Sequence, residues 1–319
     1  MALNSNQSKV IVSAPGKIHL MGEHAVVYGK PAFISAINRR LVATVKEGKG
    51  VEIEAEDKKL VEKAVEIVCD RFKITDPNIH IKITSAIPTG RHAGSSAAVS
   101  VATVGALLYF FKKIWNPNVI NELAYEVEKF QHGTPSGGDN TTATFGGFIW
   151  FRRELDFLKT VWQLPFQPAK NLSPFHIVDT GRPKENTGDM VTLVRKFLDE
   201  FKDSGRLLLD QNEQATKDVT IAIKKGDEKL LMDAIQRGEK TLEGLGVVSD
   251  KVLPLIQDIE KSGGAAKILG GGGKSGPVGL VLAYHSNKTT LTKIAKKHNY
   301  PIEAIQLGEE GVRLESGKK

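Results

Sequence analysis

Two carboxylates, Glu128 and Asp139, bracket the run His132-Gly133-Thr134-Pro135-Ser136-Gly137-Gly138. One acid lies near a helix end and the other follows a Gly-rich turn that places it stiffly. Such a pair suits phosphoryl transfer: one carboxylate holds Mg²⁺ while the other orients or deprotonates an attacking hydroxyl. Glu126 lies two residues before Glu128, so the two face different ways, one toward a cleft and one toward water. Lys17, in Pro15-Gly16-Lys17, is a cation of the kind that stabilises alkoxide character or neutralises developing phosphoryl charge. Taken singly, each acid also reads as a surface residue. Their convergence with two glycine-rich segments points to a small-molecule kinase.

The first of these segments is Pro88-Thr89-Gly90-Arg91-His92-Ala93-Gly94-Ser95-Ser96, directly before a long apolar helix. Free N–H groups at a helix start face an anion, and the helix dipole adds to their effect. The hydroxyls of Ser95 and Ser96 then bind phosphate oxygens or a metal; the plainer alternative is a Ser-capped helix start. The second segment, Gly270-Gly271-Gly272-Gly273-Lys274-Ser275, imitates a Walker A loop. That motif requires glycine where Ile268 stands, and a helix where Gly276-Pro277-Val278-Gly279-Leu280 reads as turn and strand. A loop that lets backbone approach a ligand, or a tight strand connection, is expected instead. Lys274 either reaches a phosphate or is solvated. Glu23-His24 falls on a loop after the first strand, where His24 either donates to a substrate or packs.

Other chemistries find no support. Cys69 is the only cysteine, sits in a helical pattern and reads as a buried thiol. Zinc-ligand spacings, a Gly-x-Ser-x-Gly elbow and a Gly-x-Gly-x-x-Gly after the first strand are missing from the sequence, which argues against zinc enzymes, triad hydrolases and dinucleotide oxidoreductases. The net charge of +7 suits phosphate- or carboxylate-bearing small molecules. With no arginine-rich block and no aromatic-basic interleaving, nucleic acid is not expected as a partner. No secretory signal is visible, so a cytoplasmic location is expected. Ala93 to Phe111 is uncharged over the length of a membrane span, but its Ala, Ser, Thr and Gly content predicts a buried helix and no membrane partner.

These groups need elements to position them. Strands are expected at Lys9–Ser13, ending at Ala14-Pro15-Gly16, and at Ile79–Ile83. Leu41–Glu54 alternates around Gly48-Lys49-Gly50 and reads as a hairpin. Helices are expected at 60–72, 95–112 and 117–130, then a turn and strand at 146–151. Gln163 to Pro168 reads as a connection between domains. The second half reads as a strand at 175–178, helices at 187–201, 207–223, 228–245 and 250–262, strands at 265–268 and 278–283, a helix at 289–297 and a closing strand at 311–314. Alternating strands and helices in both halves predict an α+β fold with antiparallel sheets faced by helices.

Three stretches resemble the motifs of the GHMP kinases, and the mevalonate kinases among them most. They are Pro15 to Ala32, Pro88 to Ala98, and Ala266 to Gly279. His132 to Asn140 is similar to the family's catalytic-aspartate segment, and Val178-Asp179-Thr180-Gly181 to the stretch after its domain junction. The resemblance implies two domains, 1–168 with a ribosomal-protein-S5-domain-2-like fold and 169–319 with an α/β-sandwich (ferredoxin-like) fold, and a site between them. It implies ATP, Mg²⁺ and mevalonate as ligands, and leaves room for a homodimer. Asp139 would be the acid-base or orienting carboxylate, and Lys17 would lower the pKa of the substrate hydroxyl. Glu128 and Ser95 would hold Mg²⁺. Pro88, Gly90, Arg91, His92, Ala93, Gly94, Ser95, Ser96, Ala97 and Lys274 would bind ATP. Lys17, Glu23, His24, Asp139 and Thr180 would line the substrate site. Three places depart from the family: His92-Ala93 replaces Gly-Leu, Gly138 replaces Ile or Val, and Lys274-Ser275-Gly276 replaces Gly-Gly-Cys. Two alternatives follow. One is a phosphomevalonate kinase or another GHMP small-molecule kinase, with Arg91, Arg182 and Lys184 as extra cations for a phosphorylated substrate. The other is a non-catalytic ligand- or RNA-binding protein on the same fold.

Overall fold

The computed structural model describes residues 9–133, 135–155 and 158–316. Thr134, inside the turn singled out above, lies outside the described residues. The chain opens with β1 (Val10–Met21), a single 3₁₀ turn (Ala25–Tyr28), β2 (Pro31–Glu47) and β3 (Val51–Glu54). Then come α1 (Lys58–Phe72), β4 (Ile79–Ser85), α2 (Ser95–Lys112), α3 (Pro117–His132), α4 (Gly138–Phe145), β5 (Phe148–Arg153) and β6 (Lys159–Leu164). The second half holds β7 (Phe175–Asp179), α5 (Thr187–Glu200), α6 (Lys202–Lys225), α7 (Glu228–Gly244) and α8 (Leu253–Lys261). It closes with β8 (Ala265–Ile268), β9 (Leu280–Tyr284), α9 (Lys288–Lys297), β10 (Ile302–Ile305) and β11 (Arg313–Ser316).

Two sheets result. The larger runs β11-β1-β2-β4-β3, with β5 also on β2 and β6 on β5; the smaller runs β10-β7-β9-β8. This is the α+β arrangement expected from the alternation of elements. The long β2 makes the larger sheet branch: its Leu41–Glu47 half pairs β4, and its Pro31–Ser35 half pairs β5.

Four expectations change. β1 does not stop at Pro15-Gly16 but runs to Met21, with a register shift between those two residues. A bulge tolerates proline in a strand because the missing N–H is not needed there. β3 is not the second arm of a hairpin on β2: it pairs β4 in parallel. The connection at 163–168 begins inside β6, an edge strand whose exposed Trp162 and Val161 hide the usual alternation. Finally, β11 returns to pair β1, so the closing strand, grouped above with 169–319, belongs to the first sheet.

The apolar helix α2 is buried from Ala97 to Leu108 and packs on β1, β2, α1 and α3. Its neighbours on every side explain why it lacks a polar face. Local chemistry sets the flanking helices. Asp57 caps α1 through Leu60 N, and Asn116 caps α3 just before Pro117, whose absent N–H costs nothing at a first helical position. Cys69 is half-buried against the core, and burial pushes its thiol pKa up.

Candidate active site

The bulge in β1 aims Lys17, and the phosphate loop docks on the same strand. Lys17 N donates to Ala93 O at 2.9 Å. Gly94 then turns with φ of 76°, a left-handed value that suits glycine, and α2 begins at Ser95. A Cβ on Gly94 would lie 2.7 Å from Lys17 Cγ, so the two segments touch.

Asp139 arrives from the other side. The expected stiff loop is in fact followed by α4, and Asp139 sits in its first turn, where the helix dipole favours an anion. Tyr125 Oη and Lys159 Nζ both donate to Pro135 O and pin the turn before it. Asp139 Oδ2 lies 2.8 Å from Lys17 Nζ, and Asp139 Oδ1 lies 3.5 Å from His19 Nε2. Burial by itself would raise the Asp139 pKa. The Lys17 ammonium overrides it, with help from His19, and holds the carboxyl well below the usual carboxylate range.

No role is assigned to His19 from sequence, although Lys17 and His19 are two apart on one strand and so share a face.

At the foot of α2, Glu128 is buried while Glu126 is exposed and paired with Lys129. Ser96 Oγ donates to Glu128 Oε1 at 2.6 Å, and Ser100 Oγ does so at 2.9 Å. The serine hydroxyls on this carboxylate are therefore those of Ser96 and Ser100, whereas Ser95 is the one expected to share a metal with it. Arg91 pairs with β7: its Nε lies 2.8 Å from Asp179 Oδ1. Arg182, by contrast, packs against Gly90.

The third glycine segment packs against protein rather than forming a Walker loop. A Cβ on Gly272 would fall 2.2 Å from Val247 O, and Gly273 N donates to that carbonyl. β9 follows it, not a helix. Lys274 is exposed on this segment. His92 joins it to the phosphate loop, because Cβ atoms on Gly270 and Gly279 would lie 2.4 and 3.1 Å from His92 atoms. His92 adopts φ of 64°, so the backbone keeps the left-handed geometry for which glycine is the usual residue. Burial first, and Lys17 second, push its pKa down to about 4. Its Nε2 is buried with no hydrogen-bond partner among the described residues.

Two groups expected to line the substrate site are engaged with protein. Glu23, 2% exposed, pairs with Lys267, and Thr180 Oγ1 donates to Gly279 O while accepting from Val278 N. His24 Nε2 donates to Gly271 O at 3.0 Å, and its pKa is lowered by burial despite that bond. The site is thus a cation–carboxylate pair beside a helix N-terminus and a buried glutamate, where charge can be met as it develops on a transferred group.

Comparison with known proteins bears on the family and the fold. The family described as "GHMP kinases N terminal domain" matches residues 59–147, and the "Galactokinase galactose-binding signature" matches residues 3–47. The mevalonate kinase of Pyrococcus furiosus is 30% identical, over 96% of this chain and 98% of that protein. The mevalonate kinase of Archaeoglobus fulgidus is 32% identical over 83% of this chain and 89% of its own length. Among solved structures, L. major mevalonate kinase in complex with R-mevalonate superposes with a TM-score of 0.82 at 22% identity, covering 96% of this chain and 97% of that one. Streptococcus pneumoniae phosphomevalonate kinase with phosphomevalonate and AMPPNP gives 0.75 at 17% identity, covering 93% and 99%. With its fold shared and nearly its whole length aligned to these relatives, the chain belongs to the GHMP kinase family, beside the mevalonate kinases.

Proposed function

We propose that this chain is an ATP-dependent kinase that phosphorylates the 5-hydroxyl of mevalonate, giving 5-phosphomevalonate and ADP. The observation that carries the reading is the Lys17–Asp139 pair, 2.8 Å apart and set beside the start of α2. Full-length similarity to archaeal mevalonate kinases supports the choice of substrate. A phosphorylated substrate would call for extra cations, and of the candidates Arg91 is already neutralised by Asp179.

The triphosphate sits on the free N–H groups at the start of α2, within the 90–97 loop. Glu128 and a serine hydroxyl at the helix start fit Mg²⁺, which commonly takes one or two carboxylates and completes its shell with phosphate oxygens and water. When bound, Mg²⁺ neutralises charge on the transferring phosphoryl group. Ser96 is the hydroxyl nearest that carboxylate in the free protein.

The mevalonate hydroxyl lies against the Lys17–Asp139 pair, within hydrogen-bond reach of both groups. A carboxylate held far below neutral pH is a weak proton acceptor, because efficient bases have pKa values near the working pH. Asp139 therefore acts chiefly by orienting the hydroxyl and fixing Lys17, while Lys17 stabilises negative charge on the attacking oxygen. The dissociative character of phosphoryl transfer makes such positioning sufficient. Incubation with ATP, Mg²⁺ and mevalonate, followed by phosphorus NMR, tests the reading. A phosphomonoester coupled to the C5 methylene protons is expected; ATP left intact, or phosphate on another oxygen, would overturn it.

A further inference from the structure

A charged cluster is buried under the site. Lys267, in β8, is 0% exposed, as is Glu239, and Glu23 is 2% exposed. Lys267 Nζ donates to Glu23 Oε1 at 2.5 Å, to Ile268 O at 2.7 Å and to His19 O at 3.4 Å. Three N–H groups thus find three acceptors. Glu239 Oε2 accepts from Ile268 N at 2.9 Å. Burial raises the Glu239 pKa well above normal despite nearby Lys267.

Buried ion pairs rarely stabilise a fold more than packed apolar groups would. What this one holds is more telling. Glu23 Oε1 also accepts from Gly270 N at 3.4 Å, and the adjacent His24 binds Gly271 O. Four consecutive glycines have no side chains with which to fix themselves, and ordering their backbone costs more conformational entropy than for any other residue. Partners outside the loop must therefore hold it. Through His19 O, the same ammonium reaches the strand that carries Lys17. His92 rests on Gly270, so the position of the loop is passed to the phosphate loop.

We propose that Lys267 is a positioning residue: paired with Glu23, it locks the 269–273 glycine loop to the end of β1, so that the two glycine loops meet at a fixed distance from Lys17. The loop lock stands on geometry alone; its effect on turnover rests on the kinase reading. The test replaces the pair as a unit, with Glu23→Met and Lys267→Met together, so that neither partner is left buried without the other. Hydrogen exchange of peptides covering 269–273 should become at least tenfold faster, while exchange in α2 stays unchanged. The kcat with mevalonate should fall at least tenfold, since misplacement of about 1 Å can cost 10²-fold, with the KM for mevalonate within threefold. Glu239→Gln, which keeps the side chain's size and an oxygen to accept from Ile268 N, should leave exchange and turnover within twofold. A folded double variant with wild-type exchange, or a tenfold effect of Glu239→Gln, would overturn the proposal. If the double variant does not fold, the ligand-free wild type decides: 269–273 amides exchanging like an open loop refute the lock, and protected amides support it. Wild-type protein silent toward mevalonate would defeat the kinase reading while leaving the exchange test intact.

Discussion

Replacing Asp139 by asparagine keeps the shape of the side chain and removes its charge. In the wild type, Asp139 meets Lys17 at 2.8 Å and His19 at 3.5 Å. The variant loses the anion that orients the hydroxyl, which for a single preorganised charged group costs about 10²–10³ in kcat. It also frees Lys17 from its fixed geometry, adding about tenfold. The sum is about 10³–10⁴, or about 4–5.5 kcal/mol at 1.36 kcal/mol per tenfold. Stability should change little. The Asp139 side chain is 38% exposed, so solvent screens the pair and its contribution to folding is at most about 1 kcal/mol. That corresponds to a Tm shift of about 2–4 °C or less for a chain of this size. Coupled ADP release at saturating ATP and mevalonate gives kcat, a nucleotide titration gives Kd, and thermal melting reports the fold. We expect kcat down by at least 10³, Kd within threefold and a nearly unchanged Tm. A kcat within tenfold of wild type in a folded variant would refute the role given to the carboxylate.

Lys17→Met should remove the influence that holds the Asp139 pKa down, leaving burial to raise it; the acid limb of residual activity should move to higher pH, and an unmoved limb would contradict the electrostatic account. Gly94→Ala forces a Cβ to 2.7 Å from Lys17 Cγ at φ of 76°, so we expect a loss of about 1–2 kcal/mol in urea melts and at least tenfold in kcat. Glu128→Gln should raise the Mg²⁺ concentration needed for half-maximal rate at least tenfold, read by titration at fixed ATP. His92 has a folded pKa near 4 against 6.5 when unfolded, so its contribution to stability is complete above pH 6.5 and lost as pH falls toward 4; His92→Gln should show a shallower fall in Tm across that window.

The chemistry was more legible in the chain than the architecture that carries it. Helix α2 could be read from its glycine turn and uninterrupted apolar run, because helix starts and core helices leave local marks. Strands β6 and β10 could not: edge strands with exposed residues lack the period-two pattern. The pairing of β3 with β4 and of β11 with β1 depends on partners distant in sequence, which no local signal encodes. At the site, Lys17, Glu128 and Asp139 were visible from residue type and neighbouring glycines. The engagement of Glu23 with Lys267, and of Thr180 with Gly279, was hidden because each partner lies about a hundred residues or more away. The same distance concealed the contact of His92 with Gly270, which turns an odd residue in a phosphate loop into a link between two loops.

The central claim is that the Lys17–Asp139 pair serves mevalonate. The most direct measurement is kcat/KM from ADP release with Mg·ATP, offered mevalonate, 5-phosphomevalonate, homoserine and galactose in parallel. The account expects mevalonate to exceed each of the others by at least a hundredfold. A preference for phosphomevalonate would contradict it and turn attention to Arg182 and Lys184, while silence on all four would contradict catalysis at this site.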